Sequence, residues 1–177
     1  PLDEEVDANP YLNDFYEDWQ RWSFNLQIFF LKSRFGQVER IVKAPKTIIQ
    51  DRTIYEDANI FAPNLHAMGL MTTRDFRNYQ ELFSLMMEFI KPPDLLIYLR
   101  GSVPSLVKQI EKRGRAYENS IRIDYLRRLN ERYEAWISTY EFGKMLVIDI
   151  DEINFAENQE HLGMIVNRVN AELHGLF

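Results

Sequence analysis

Two arginine-centred stretches and one amide–guanidinium pair carry most of the chemistry available to this sequence. The run TIIQDRTIYEDANIF, Thr47 to Phe61, leaves an apolar stretch through Asp51 and Arg52 and continues through further acids, Asp57 among them. Open parallel α/β sheets hold their ligands at the carboxyl ends of strands, so an acid and an arginine placed there point to chemistry rather than solvation. The second stretch, EKRGRAYE from Glu111 to Glu118, sets Arg113 and Arg115 around Gly114, with Lys108 and Lys112 just before. Phosphoryl transfer needs cations that close over the moving phosphate and neutralise the charge on its oxygens. A solvated basic loop is the plainer account of the same residues.

Gln27 and Arg34 stand seven residues apart in an aromatic-rich segment, hence on one face of a helix and roughly 10 Å apart along its axis. Their neighbours Phe24, Leu26, Ile28, Phe29, Phe30 and Leu31 leave little of that helix to face water. A buried amide and a buried guanidinium must both find hydrogen-bond partners, and the edge of a flat heterocycle is one such partner. An exposed stripe with ordinary salt bridges would account for the pair equally well.

Alternating helices and strands are expected to position these groups. After a turn at Asn9-Pro10, helical spacing runs from Tyr11 to about Ala44, as one helix or as two joined near Asp18, and Ala44-Pro45 stops it. Lys46 to Gln50, with the β-branched Thr47-Ile48-Ile49, predicts a short buried strand. Thr72 or Thr73 can cap a helix in which Phe76, Tyr79, Phe83, Met86 and Ile90 repeat at spacings of three and four, up to Pro92-Pro93. Then follow a strand at Leu95 to Leu99, a helix near Pro104 to Lys112, and a long helix from about Ile121 to Phe142 with the stripe Leu126, Leu129, Tyr133, Trp136 and Tyr140. A strand at Met145 to Ile150 and a helix at Glu157 to Leu173 close the chain. Strands separated by helices predict a parallel sheet. All three strands would end in polar chemistry: Asp51-Arg52, Arg100-Gly101-Ser102, and Asp149 with Asp151.

With 177 residues, 46% of them hydrophobic and 14% aromatic, the chain can bury one sizeable core and reads as a single soluble domain. A net charge of -6 argues against general binding of nucleic-acid polymers but allows a small anion held by local arginines. Zero Cys and three scattered His give no disulfide framework and no zinc-ligand pattern, which suits the cytoplasm. No apolar run approaches the roughly 18 to 20 residues of a membrane helix, and no signal-peptide pattern is present.

The order of motifs is more specific than any one of them. The strings EEVDANPYLNDFYEDWQRWSFNLQIFFLKSRF, QDRTIYEDANIFAPNL and LIYLRGSVPSLVKQIEKRGRAYENSIRIDYLRRLNERYEAWI together resemble the deoxynucleoside kinases, in their bacterial deoxyadenosine/deoxyguanosine kinase branch, over nearly the whole chain. The resemblance implies a three-layer α/β fold of the P-loop NTPase, nucleoside monophosphate kinase type, as one domain over residues 1–177 with a lid at about 111–119. It implies transfer of the ATP γ-phosphoryl group to the 5'-hydroxyl of a deoxynucleoside, a purine by preference, with Mg2+ required. A homodimer built on the aromatic helix and the Met-rich helix near Ser84 to Glu88 goes with it. Two alternatives stay open: a thymidine or nucleotide kinase of the same fold, and a non-catalytic nucleoside-binding protein.

By the same resemblance Glu4 is the general base on the 5'-hydroxyl, with Glu5 next in line should the register differ. Arg52 binds near the 5'-oxygen and the phosphate in flight, and Asp51 holds the metal. Gln27 reads the base edge and Phe61 stacks on the base, although core packing would explain Phe61 almost as well. Tyr16 and Glu118 bind the sugar 3'-hydroxyl, and Arg34 with Asp57 forms a charged pair beside the base. Arg113 and Arg115 are the lid arginines, and the loop Asp149 to Asn154, Asp151 within it, receives the adenine of ATP through its backbone.

One part of the pattern does not occur among these residues: a glycine-rich loop with its Lys and Ser or Thr, cradling the donor phosphates through backbone N–H groups. None of Gly36, Gly69, Gly101, Gly114, Gly143, Gly163 or Gly175 lies in such a motif. The opening PLDEEVDANP reads as the middle of a chain, so the loop, with the first strand and helix, is expected upstream. The 177 residues alone are then expected to transfer phosphate poorly or not at all.

Overall fold

Asp18 divides the aromatic segment in two. In the computed structural model, which describes residues 9–114 and 122–175, its backbone leaves helical geometry (φ -141°, ψ 86°) while its carboxylate accepts from Arg21 N at 3.0 Å. That is an N-cap, and it separates α1 (Leu12–Glu17) from α2 (Trp19–Lys43). The far end of α2 stops at Ala44, whose extended backbone is the conformation that a following proline imposes.

The chain divides into two compact units, Pro1–Lys91 and Pro92–Phe177. In the first, α2 is the central element, packed by α1 and by a helical segment over 54–67 and the helix that follows it. Its inward face carries Leu26, Phe30 and Leu31 but also Ser23, Gln27, Ser33, Arg34 and Gln37, a polar stripe inside the core. Ile54, Ile60, Ala62, Leu65 and Tyr79 complete that core. The last helix of the unit, α5 (Thr73–Met87), starts where the sequence places it, with Thr72 Oγ1 accepting from Asp75 N at 3.1 Å.

The strand expected over Lys46 to Gln50 is not formed. Residues 47–49 carry no regular structure, Gln50 is an isolated bridge residue, and Ile49 is 71% exposed. β-branched residues favour a pleated surface only where a neighbouring strand supplies the ladder, and among the described residues none runs beside these. The strand-to-loop reading of Thr47 to Phe61 is corrected further: the segment turns helical at Ile54. Thr53 and Glu56 make a reciprocal capping box that starts α3 (Ile54–Glu56). A π-helical turn over Asp57–Phe61 follows, and α4 (Ala62–Ala67) takes Pro63 in its first turn.

In the second unit β1 (Leu96–Arg100) and β2 (Met145–Asp149) pair in parallel, in register from Leu96 with Met145 to Arg100 with Asp149. Two strands, not the three expected, stand among the described residues. Between them lie α6 (Val103–Arg113) and α7 (Ile123–Ser138), and α8 (Gln159–His174) packs on β2. Helix α7 ends four residues before the expected Phe142, its carbonyls closed by Thr139 N. The register points Leu96, Tyr98, Leu146 and Ile148 inward. Gly101 follows β1 where a Cβ would meet the Ile150 side chain at 3.0 Å, so a larger residue there would have to push that side chain aside. Both strand ends thus deliver their polar residues to one edge of this unit. None of the described helices is long and apolar enough to cross a membrane.

Candidate active site

Arg34 organises the site in the first unit. It is 1% exposed, its Nη1 donates to the Asp51 carbonyl at 2.9 Å, and its Nε lies 3.6 Å from Asp57 Oδ2. Both side chains of this ion pair are almost wholly withdrawn from water, so each charge depends on the other. The π turn makes the meeting possible. Its wider ring shifts the side chains of 57–61 relative to an α-helix, a distortion frequent at functional sites. It carries Asp57 inward to 2% exposure and brings Phe61 under the guanidinium of Arg52, 4.8 Å from ring centroid to Cζ. The pair expected at Arg34 and Asp57 is therefore formed, and Phe61 is a partner of Arg52 rather than plain core.

Arg52 has φ +56°, and no other non-glycine residue described has positive φ. The left-handed region costs such a residue on the order of 1–2 kcal/mol, and it persists where the surroundings over-determine it. Asp51 beside it is exposed, leaving its carboxylate to solvent or ligand.

Glu56 was not singled out by its sequence pattern, yet Thr53-x-x-Glu56 is a legible capping signature. Its Oε2 accepts from Thr53 N at 2.8 Å and from Thr53 Oγ1. Burial holds its pKa above the ordinary 4.5, opposed by the Thr53 hydrogen bonds and by the charge of Arg52. A carboxyl whose folded pKa is raised favours the fold most below its unfolded pKa, and that advantage is lost as pH climbs from 4.5 through the raised value. Glu56→Gln keeps an acceptor for Thr53 and removes the titration. The variant is expected to be more stable than the parent at neutral pH, with the gap closing as pH falls through the raised value to 4.5, measured as denaturation midpoints across pH. A gap that widens in acid contradicts the assignment.

Gln27, two turns of α2 before Arg34, is 3% exposed, and its Oε1 has no hydrogen-bond partner among the described residues. A buried acceptor without a donor costs about 1–3 kcal/mol, a cost that a ligand's N–H removes. Both members of the pair expected on one face are thus buried. Tyr16, at the end of α1, is half-buried and meets Trp19 edge-on at 6.0 Å. A separate cleft of about 160 Å³ beside the start of α2, bordered by Arg21, Phe24 and Asp75, contains none of the candidate residues.

Two further amides escaped sequence reading, the buried Gln37 and the half-exposed Gln50. Gln37 Oε1 accepts from Gln50 Nε2 at 2.8 Å and faces Arg34 Nη1 at 3.5 Å. A glutamine one turn beyond Arg34 was the available signal, but periodicity alone assigns it to either face.

In the second unit Arg113 is exposed at the end of α6, beside Gly114 in the left-handed cap (φ 64°). Asp151 is not a free side chain: Oδ1 and Oδ2 accept from Ser102 N at 3.0 and 3.1 Å. Hydrogen bonds from Ser105 and Ser102 hold its carboxyl below the ordinary range. Asp149 Oδ1 accepts from Asp151 N at 3.0 Å, so the two acids shape the turn after β2. Their side chains thereby order the turn after β2. Tyr98 Oη donates to Glu134 Oε1 at 2.9 Å, and Arg100 Nη2 lies 3.0 Å from Glu134 Oε2, fastening β1 to α7. Glu4, Glu5, Arg115 and Glu118 lie outside the described residues.

The family model of the deoxynucleoside kinases matches residues 2–174. Deoxyadenosine/deoxycytidine kinase of Bacillus subtilis is 39% identical over 174 residues, which are 97% of this chain and 80% of that protein. Deoxyguanosine kinase of Lactobacillus johnsonii is 34% identical over 182 residues, 98% of this chain and 80% of that protein. Among solved structures, deoxyadenosine kinase from M. mycoides with bound dATP is similar at a TM-score of 0.82 and 28% identity, over 94% of this chain and 84% of that one.

Proposed function

The chain is a member of the deoxynucleoside kinase family, with the α/β fold of the P-loop NTPases, and we propose that it transfers the γ-phosphoryl group of ATP to the 5'-hydroxyl of a purine deoxynucleoside. It is a deoxynucleoside kinase, a transferase that takes a nucleoside and a nucleotide as substrates. The observation that carries the base preference is the buried pair of Arg34 and Asp57 in line with the unsatisfied amide oxygen of Gln27. Acceptor, cation and anion together match the donors and acceptors on the edge of a purine, and of cytosine as well, whereas an apolar pocket would not. Relatives named for deoxyguanosine and deoxyadenosine support the same reading, and one is named for deoxycytidine beside deoxyadenosine.

In the proposed reaction Glu4 accepts the 5'-hydroxyl proton as the oxygen attacks, and Tyr16 with Glu118 fixes the sugar through its 3'-hydroxyl. Arg52 offers its guanidinium to the phosphate oxygens, held off the base by its contact with Phe61. Arg113 and Arg115 close over the same charge, and the loop Asp149 to Asn154 receives the donor's adenine through backbone groups. Asp51 fits the metal that the reaction implies. Mg2+ keeps several waters and takes one or two carboxylates besides substrate phosphates, and Asp51 is one exposed carboxylate on the turn of Arg52. When bound, Mg2+ would neutralise phosphate charge. One kinase domain over 1–177 with a lid at about 111–119, a homodimer through α2 and α5, and a cytoplasmic location belong to the same proposal. Leu85 and Phe89, exposed by 55% and 73% at the end of α5, support the dimer.

Gln27→Ala tests the site. It is expected to lower kcat/KM for the preferred purine deoxynucleoside by roughly 10- to 100-fold, the worth of one or two hydrogen bonds in a buried site. An unchanged kcat/KM would mean that the base is read elsewhere.

A further inference from the structure

The residues flanking Arg52 are tied to side chains of the core, Gln50 through its side chain and Asp51 and Thr53 through their backbone. Gln50 donates through Nε2 to Gln37 Oε1 at 2.8 Å, the Asp51 carbonyl accepts from Arg34 Nη1 at 2.9 Å, and Thr53 N donates to Glu56 Oε2 at 2.8 Å. The three core partners are 1%, 1% and 7% exposed. Between these ties sits Arg52 at φ +56°. Such a backbone is held by its surroundings or not at all, and a guanidinium serves a transition state only if it arrives already aimed.

We propose that the Gln37–Gln50 amide pair is a positioning device for Arg52, holding the 50–53 turn in the one conformation that directs the guanidinium at the transferring phosphate. The inference rests on the reading of Arg52 given above. Neither glutamine touches the reacting atoms, and Gln50 reaches the site only through the backbone it anchors. Gln37 serves two ends at once, because its Oε1 also faces Arg34 Nη1 at 3.5 Å and so steadies the arginine beside the base. Arg34 in turn bonds the turn that carries Arg52. A single hydrogen-bonded chain therefore joins base reading to phosphate contact.

The test is steady-state kinetics and equilibrium nucleoside binding on the full-length enzyme. Gln50→Ala removes a half-exposed side chain and is expected to fold. It should lower kcat by roughly 10-fold or more, as small misplacements of a reacting group do, and leave the Kd for deoxynucleoside unchanged. Gln37→Leu should cost as much in kcat, and the double variant no more than either single, because both remove one shared bond. Gln37→Glu keeps an acceptor for Gln50 and should recover most of the rate. A shift in melting temperature alone, with kcat intact in Gln50→Ala while Arg52→Ala is inactive, overturns the positioning role. Full activity in Arg52→Ala overturns it at its root, through failure of the Arg52 reading.

Discussion

Arg52→Ala is expected to cut kcat by roughly 10³-fold or more, the scale on which a charge-stabilising arginine acts in phosphoryl transfer, with little change in nucleoside affinity. The asymmetry between kcat and binding follows from geometry. Arg52 lies over the ring of Phe61, while Arg34 and Asp57 pair with each other in the core, so base recognition is expected to survive its loss. Lysine is not expected to rescue it. An ammonium keeps the charge but lacks the planar fork that can lie on an aromatic face and reach two oxygens together. Measured kcat and Kd for Arg52→Ala and Arg52→Lys check both statements, and equal losses in binding and turnover would place Arg52 in ground-state recognition instead.

The second large effect falls on stability and specificity together. Asp57→Ala leaves the Arg34 guanidinium buried without its counter-ion, which costs about 3–5 kcal/mol when a pair is this far from water. For a chain of this size that lowers Tm by roughly 10 °C. Replacing both partners, Arg34→Leu with Asp57→Ala, removes the stranded charge and should return much of the stability, since paired apolar groups replace buried ion pairs at small cost. Recognition would not return with it. The double variant is expected to lose its preference for purine deoxynucleosides, whose edge needs the charges that stability does not. Thermal melts and a comparison of kcat/KM across nucleosides separate the two effects. Equal specificity in the double variant would assign the pair to folding alone.

Physical reasons decide which parts of this were legible in the residues. Strands β1 and β2 stand within one residue of their expected bounds, because each is a short apolar run closed by polar residues and supplied with a neighbour. Thr47-Ile48-Ile49 has the same local character and no neighbouring strand among the described residues, so it stays irregular. Pairing is a property of two segments, and a window on one of them cannot show it. The capping box of Thr53 and Glu56 was written in the chain and went unread beneath the acids of Asp51 and Asp57. The π turn leaves no comparable mark. It inserts a residue's worth of backbone without a demand on side-chain type, yet it is what brings Asp57 to Arg34 and Phe61 to Arg52. The positive φ of Arg52 was hidden for a related reason, since nothing but glycine or asparagine advertises that conformation. Burial of Gln27 and Arg34 was one of two readings their aromatic neighbours left open, whereas Gln37, on the same stripe, gave no cue until Gln50 and Arg34 were seen around it.

The most direct test of the whole account is phosphoryl transfer from ATP with Mg2+ by the complete gene product, offered deoxyadenosine, deoxyguanosine, deoxycytidine and thymidine in parallel, with Glu4→Gln beside it. Formation of a purine deoxynucleoside 5'-monophosphate, abolished by Glu4→Gln, is the predicted result. Turnover of thymidine alone, or of none of the four, would contradict it.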